Sequence, residues 1–414
     1  MAIEKIRTLD GLEVEGKTVL VRVDINSPLD PETQQITDDT RIARTAPTIA
    51  ELAGKRAKVV VLAHQGDPVD FQNFTSLGEH ARLLAQHVGR EVDFIDDVAG
   101  PAARRRIGDL QPGDVLLLDN VRQHTEETVI FEKAVSLSFE EQAETTVVRK
   151  LGPLGDAFVN DAFACVHRSQ PTLCGFPIVL PAVCGRLFEA ELRALGKVRE
   201  NPERPCLFIL GGAKIMDAFS IIGPVLERGT ADKVLTQGLV GQIVLKAGGK
   251  DLGEANDDLF KEKGLDEFVP TAQQLLRKHG ERLVRPVDVA IDAGGREVLT
   301  CSELPAPGMI MDLGPETIER YCGEIAQAGT VFMNGPAGVY EQEAFAEGTR
   351  RIWEAVGEVS AFSVIGGGDT IQAAKRFGVY DSVDFVSTAG GGLILYMAGE
   401  ELPVLKALAM GNGQ

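Results

Sequence analysis

Three glycine clusters in the second half of the chain carry side chains suited to polyphosphate chemistry. Gly211-Gly212-Ala213-Lys214 follows the apolar run CLFIL, and Gly366-Gly367-Gly368-Asp369-Thr370 follows AFSVI; each opens a helix-like segment. A third, Ser387-Thr388-Ala389-Gly390-Gly391-Gly392, precedes LILYMAG. Glycine admits close backbone approach, and a helix N-terminus presents unpaired N–H groups and partial positive charge. One such turn is an ordinary βα connection. Three in one half, one with a lysine and one with Asp-Thr, suit a triphosphate tail, with Asp369 supplying a carboxylate for Mg2+. The first half holds the cations. Arg22, Asp24 and Asn26 end the run RVDIN, Arg41 begins a helix, His64 sits in AHQG, Arg122 follows DVLLLDN, and His167-Arg168 follow AFVNDAFACV. A lone arginine is most often a solvated ion-pair partner. Four arginines and a histidine at strand C-terminal ends, where open α/β sheets bind ligands, point instead to an anion site.

Short β-branched runs alternate with helical stretches. Strands are expected at Thr18–Asp24, Lys58–Ala63, Asp114–Leu118 and Ala157–Asn160, then at Leu207–Leu210, Lys233–Thr236, Asp288–Ile291, Thr330–Met333 and Phe362–Ile365. Most are apolar throughout, as in parallel strands covered on both faces. Helix-like segments lie between them, at Arg41–Glu51, Leu77–His87, Ile215–Glu227 and Glu316–Ala328. The alternation predicts α/β architecture with two doubly wound parallel-sheet, Rossmann-like domains. At 414 residues two domains are the natural division. The Pro-rich stretch CGFPIVLPA and the amphipathic GRLFEAELRALGKV mark the seam. The expected organisation is residues 1–184, an interdomain helix at 185–200, a nucleotide domain at 201–390, and a C-terminal segment at 391–414 returning to the first domain. GLEVEGKT at 11–18 matches the P-loop pattern, but no strand precedes it and a β-run follows, so it is a chance match. No GxGxxG follows a strand, which disfavours a nicotinamide site.

A formal net charge of −19 argues against a nucleic-acid partner, since neutralising phosphates needs a basic face. No apolar run is long enough to span a bilayer, and the N-terminus lacks a leader pattern. The six cysteines form no CxxC pair and read as reduced, buried thiols of a cytoplasmic protein.

In their order and spacing, VLVRVDINSPL, AHQG, VNDAFACVHRSQPT, GGAKI, MIMDLGP, VFMNGPAGVYE, VIGGGDT, STAGGG and GEELPVLKAL resemble the phosphoglycerate kinases over nearly the whole chain, more closely the archaeal-type branch. The resemblance implies a hinge-bending monomer that transfers a phosphoryl group reversibly between 1,3-bisphosphoglycerate with ADP and 3-phosphoglycerate with ATP. By the same resemblance Asp24, Asn26, Arg41, His64, Gln65, Arg122 and Arg168 bind the acceptor. Gly211, Gly212, Lys214, Asn334, Glu341, Gly367, Gly368, Asp369 and Thr370 bind the nucleotide, with Glu341 on the ribose and Asp369 near Mg2+. Arg41, Lys214, Gly368 and Gly391 surround the transferring phosphoryl. A carboxylate acceptor is already ionised at neutral pH, so no general base is required; positioning and charge neutralisation carry the catalysis.

Four positions depart from the family pattern. Asp67 stands where a cation follows the glycine of the His-x-Gly segment. A unit charge about 5 Å from the acceptor phosphate is worth roughly 3 kcal/mol at an effective dielectric near 20. Either Asp67 turns away and another arginine such as Arg44 compensates, or the acceptor differs. Ala218 replaces a second lysine of some relatives, Ala389 the first glycine of the usual STGGG, and Gln237 a glycine of the adenine-side loop. The rival readings are a kinase of another small carboxylate and a non-catalytic nucleotide-binding protein. Retention of Arg41, His64, Arg122 and Arg168 argues against the second.

Overall fold

A computed structural model describes residues 6–70 and 72–411. The first five residues, part of the stretch read for a leader, lie outside that range. The chain divides into two units, Met1–Arg193 with Glu401–Gln414, and Ala194–Glu400. It passes from one to the other inside the helix Arg186–Glu200.

The first unit is built on six strands: β1 (Thr18–Val23), β2 (Lys58–Leu62), β3 (Asp93–Ile95), β4 (Val115–Leu118), β5 (Ala157–Asp161) and β6 (Ala182–Cys184). They form one sheet in the order β3-β4-β2-β1-β5-β6, every pairing parallel. β4 and β5 are buried at every position, which is why they read as unbroken apolar runs rather than alternating ones. On one face, Val19, Val21, Val59 and Val61 pack against Ile42, Ile49 and Leu52 of the helix Thr40–Gly54. The helix Pro403–Met410 packs on the short helices Pro171–Cys174 and Phe176–Val179, and the Val404 N–H donates to the Val166 carbonyl at 3.3 Å.

The second unit has β7 (Cys206–Leu210), β8 (Lys233–Thr236), β9 (Leu283–Val284), β10 (Asp288–Asp292), β11 (Arg296–Thr300), β12 (Met309–Leu313), β13 (Thr330–Asn334), β14 (Phe362–Gly366) and β15 (Phe385–Ser387). Six of these make a parallel sheet, β15-β14-β13-β7-β8-β9. Counted within the unit, that is the 3-2-1-4-5-6 order of doubly wound dinucleotide folds. Trp353, Tyr321, Ile352 and Val331 are fully buried in its core.

The expectation for Asp288–Ile291 is corrected. β10 does not join the parallel sheet; it pairs antiparallel with β11 and β12 in a separate three-stranded sheet. The cause is local: Gly294 and Gly295 both hold positive φ in the turn after β10, and such a turn folds the chain back as a hairpin. Short strands β3, β6, β9 and β15 escaped sequence reading because two or three residues carry too little pattern. The P-loop-like string at 11–18 runs through a turn into β1, with no helix after it. Among the described residues no helix is long and apolar enough to cross a membrane.

Candidate active site

In a doubly wound sheet, ligands bind beyond the strand C-termini where the strand order reverses. In the second unit that point lies between β7 and β13, and it is where the first glycine cluster falls. The Gly211 N–H donates to the Asn334 carbonyl at 2.9 Å, and the Gly212 N–H donates to the Pro336 carbonyl at 2.9 Å. Gly335 has φ +90, and a Cβ there would lie 2.1 Å from the Gly211 carbonyl oxygen, so only glycine lets the two loops touch. The Asn334 amide donates to the Gly366 carbonyl at 2.7 Å, and the Thr370 hydroxyl accepts from the Gly335 N–H at 2.7 Å. Gly211, Gly212, Ala213, Lys214, Asn334, Gly335, Gly367, Gly368, Asp369 and Thr370 thus surround one small cavity. Lys214 and Asp369 are exposed at the starts of the helices Ile215–Glu227 and Gly368–Arg376.

A second cavity of about 510 Å3 adjoins it, sharing Gly212, Ala213 and Asp369. Its walls are mainly apolar: Leu239, Leu245, Val289, Met309, Pro336 and Val339, with Glu341 among the polar exceptions. The antiparallel sheet supplies several of these, and sequence reading missed them because the hairpin itself was missed. Asp312 also lines this cavity. It accepts from Arg296 at 3.1 Å and from the Gly348 N–H at 2.9 Å, yet burial pushes its carboxyl up to about 6. Gly391 stands apart: it is exposed in the helix Gly390–Ala398 and lines neither cavity.

In the first unit the order reverses between β1 and β5, and the acceptor residues follow β1, β2, β4 and β5, four neighbours in the sheet. Each arginine there has an acidic companion. Arg41 donates to Asp24 at 2.6 Å, and Arg168 lies 3.4 Å from Glu132. Arg122 lies 3.8 Å from Asp67 and donates to the Gly66 carbonyl. Arg22, fully buried, bonds Thr172, which in turn bonds the buried Glu127. Each of the four cations thus has a local carboxylate to offset its desolvation. His64 sits among them. Burial, then the fields of Arg122, Arg22, Arg41 and Arg168, hold its imidazole well below the usual range, so it stays neutral. Gln65 is structural at its side chain, accepting from the Ser27 N–H at 2.8 Å and donating to the Ser27 carbonyl at 2.9 Å. The Asn26 side chain accepts from the Gly66 N–H at 2.9 Å.

The departures from the family pattern have local explanations. Asp67 is turned into the protein, accepting from the Val129 N–H at 3.2 Å and the Val69 N–H at 3.3 Å. Gln237 is buried and donates to the Gly335 carbonyl at 2.9 Å, tying the loop after β8 to the loop after β13. Ala389 has right-handed φ and needs no glycine; the positive φ falls on Gly390. Ala218 packs into the core of its helix, and Arg44 is half-buried on the helix that carries Arg41. Asp24, His64 and Cys165 bring ligand atoms within 4.8 Å of one another. Surrounding arginines oppose a cation there, Asp24 is already paired, and burial pushes the Cys165 thiol up to about 11.

A glycine-lined crevice at one switch point and a cluster of arginines at the other define a small-molecule kinase of the α/β class. The chain belongs to the phosphoglycerate kinase family, whose sequence profile matches residues 9–400. It is 46% identical to the phosphoglycerate kinase of Methanothermobacter thermautotrophicus over 98% of this chain and 97% of that one. It is 40% identical to that of Sulfurisphaera tokodaii, over 98% and 96%. Among solved structures, the phosphoglycerate kinase of Pyrococcus horikoshii OT3 superposes with a TM-score of 0.87 at 38% identity, covering 98% of this chain and 99% of that one. The similarity to archaeal members agrees with the branch expected from the motifs.

Proposed function

We propose that this chain catalyses Mg2+-dependent phosphoryl transfer between ATP and the carboxylate of 3-phosphoglycerate, reversibly, with 1,3-bisphosphoglycerate and ADP as the other pair. The observation that carries this reading is the cluster of four arginines around a neutral His64, which no nucleotide-binding role requires. In it Arg122, Arg168 and His64 take the acceptor's phosphate, while Arg41, Asp24 and Asn26 orient its carboxylate end. The apolar cavity takes the base, Glu341 the ribose, and the backbone N–H groups of Gly367 and Gly368 with Lys214 the phosphates, beside the loop that Gly211 and Gly212 shape.

Asp369 suits a hard cation: its carboxylate is exposed and makes no hydrogen bond or ion pair among the described residues. Mg2+ held there with the nucleotide would neutralise charge on the transferring phosphoryl group. The acceptor carboxylate needs no base, which accords with a histidine kept neutral. Lys214 and Arg41 supply the remaining positive charge, and binding energy is spent on alignment. Six free thiols and a net charge of −19 suit a cytoplasmic enzyme of small anions.

The test is a coupled assay with 3-phosphoglycerate and Mg-ATP. Turnover of tens per second or more is expected, in the range of about 1–100 per second typical of kinases. Silence toward 3-phosphoglycerate with retained ADP binding would overturn the reading in favour of another carboxylate, a retuning that Asp67 beside Arg122 would explain.

A further inference from the structure

Beside the arginine cluster lies a buried relay that phosphoryl chemistry does not itself demand. Glu127 is fully buried, and Thr172 occupies both of its carboxylate oxygens. The Thr172 N–H donates to Oε1 at 2.6 Å, and the Thr172 hydroxyl donates to Oε2 at 2.7 Å. Arg22 Nε donates to that same hydroxyl oxygen at 3.0 Å, and another of its nitrogens lies 3.2 Å from His64 Nδ1.

The direction of every bond in this chain is determined. A guanidinium has only donors, so Thr172 Oγ accepts from Arg22 and its own proton is left for Glu127. For the same reason His64 Nδ1 faces Arg22 as an acceptor. The imidazole is neutral, because burial and four arginines disfavour its charged form. A neutral imidazole that accepts at Nδ1 carries its proton on Nε2, and Nε2 has no partner among the described residues. Glu127 completes the arrangement as the buried negative charge that offsets Arg22; burial raises its carboxyl and Arg22 opposes that rise.

We infer that Glu127 and Thr172 are positioning residues which, acting through Arg22, fix the Nε2–H tautomer of His64 and so present one neutral, directional donor to the anionic acceptor. A neutral donor adds directionality without adding a fifth positive charge to the cluster. The assignment rests on the acceptor site proposed above, although the tautomer itself does not depend on any ligand.

The experiment uses the ligand-free full chain labelled with 15N. Long-range 15N–1H spectra report the His64 tautomer in wild type, Thr172→Val and Thr172→Ser, and steady-state kinetics follow on the same samples. Valine keeps the shape of threonine and the backbone bond to Glu127 while removing the hydroxyl. The expected result is an unprotonated Nδ1 in wild type and in Thr172→Ser, and mixed tautomers in Thr172→Val. The KM for 3-phosphoglycerate should rise about tenfold in Thr172→Val, the order expected for losing a hydrogen bond to a charged group, with the KM for ATP unchanged and Thr172→Ser close to wild type. A wild-type Nδ1–H signal overturns the inference. So does a Thr172→Val variant that keeps one tautomer, or one that raises both KM values together. If the tautomers behave as expected but wild type shows no turnover with 3-phosphoglycerate, the relay stands and the proposed acceptor falls.

Discussion

Replacing Asp67 by asparagine should make the acceptor bind more tightly. The Asp67 carboxylate lies 3.8 Å from the Arg122 guanidinium, both side chains being almost wholly buried. At that separation and an effective dielectric near 20, two unit charges interact by about 4 kcal/mol. An anionic acceptor reaching Arg122 feels the same carboxylate as a repulsion from further away, and at twice the distance the term is about 2 kcal/mol. Partial screening leaves a gain of about 1–2 kcal/mol for Asp67→Asn, a fall in the KM for 3-phosphoglycerate of about five- to thirtyfold. The amide oxygen can keep only part of the bonding to the Val129 and Val69 N–H groups, so stability should drop by about 1 kcal/mol. The assay varies 3-phosphoglycerate at saturating Mg-ATP, at low and high salt, beside a urea titration. The gain should shrink at high salt, with the KM for ATP unchanged. An unchanged or higher acceptor KM in Asp67→Asn would refute the reasoning: Asp67 would then be needed to aim Arg122 more than its charge opposes the acceptor.

Three other outcomes follow from the geometry. Asp369→Asn should abolish the Mg2+-dependent part of ADP affinity while leaving metal-free ADP binding intact, which calorimetry with and without Mg2+ reads directly. Gly335→Ala should destabilise the second unit by about 2–4 kcal/mol and weaken nucleotide binding, since the added Cβ meets the Gly211 carbonyl at a positive φ; thermal unfolding with and without ADP checks both. Asp161, fully buried beneath the start of the helix Arg186–Glu200, accepts from the Phe188 N–H at 2.9 Å, yet burial pushes its carboxyl up to about 7. Below the unfolded value of 3.8 both states are protonated; between 3.8 and about 7 only the unfolded state ionises; above that the penalty is constant. Wild type should therefore lose stability relative to Asp161→Asn as pH rises from about 4 to 7, by about 4 kcal/mol in total. Denaturant unfolding of both proteins across that range would show a flat difference if the group does not titrate there.

Most of the site could be read in the sequence because its signals are local. A glycine run after an apolar strand and before a helix identifies a phosphate-type turn from adjacent residues alone, as at Gly211–Lys214 and Gly366–Thr370. Arg22, Asp24, His64 and Arg122 could likewise be placed at strand ends by counting from apolar runs. Gly391 belongs to a glycine run of the same pattern, and it lines neither cavity.

The sequence by itself determined the two-domain α/β class, the family, and which residue types stand at the strand termini, because each of these depends on periodicity or on residues close in the chain. Tertiary structure decided everything that depends on partners far apart in the chain. The turn that takes β10 into β11 is local, but the second pairing of β10, with β12, joins residues far apart in the chain. That Asp67 points inward depends on an N–H sixty-two positions away. That His64 is neutral with its proton on one nitrogen depends on Arg22, Thr172 and Glu127, which meet only when β1, β2 and the segments following β4 and β5 close around them. Hydrogen-bond direction and desolvation are properties of a three-dimensional neighbourhood, and no spacing along the chain encodes them.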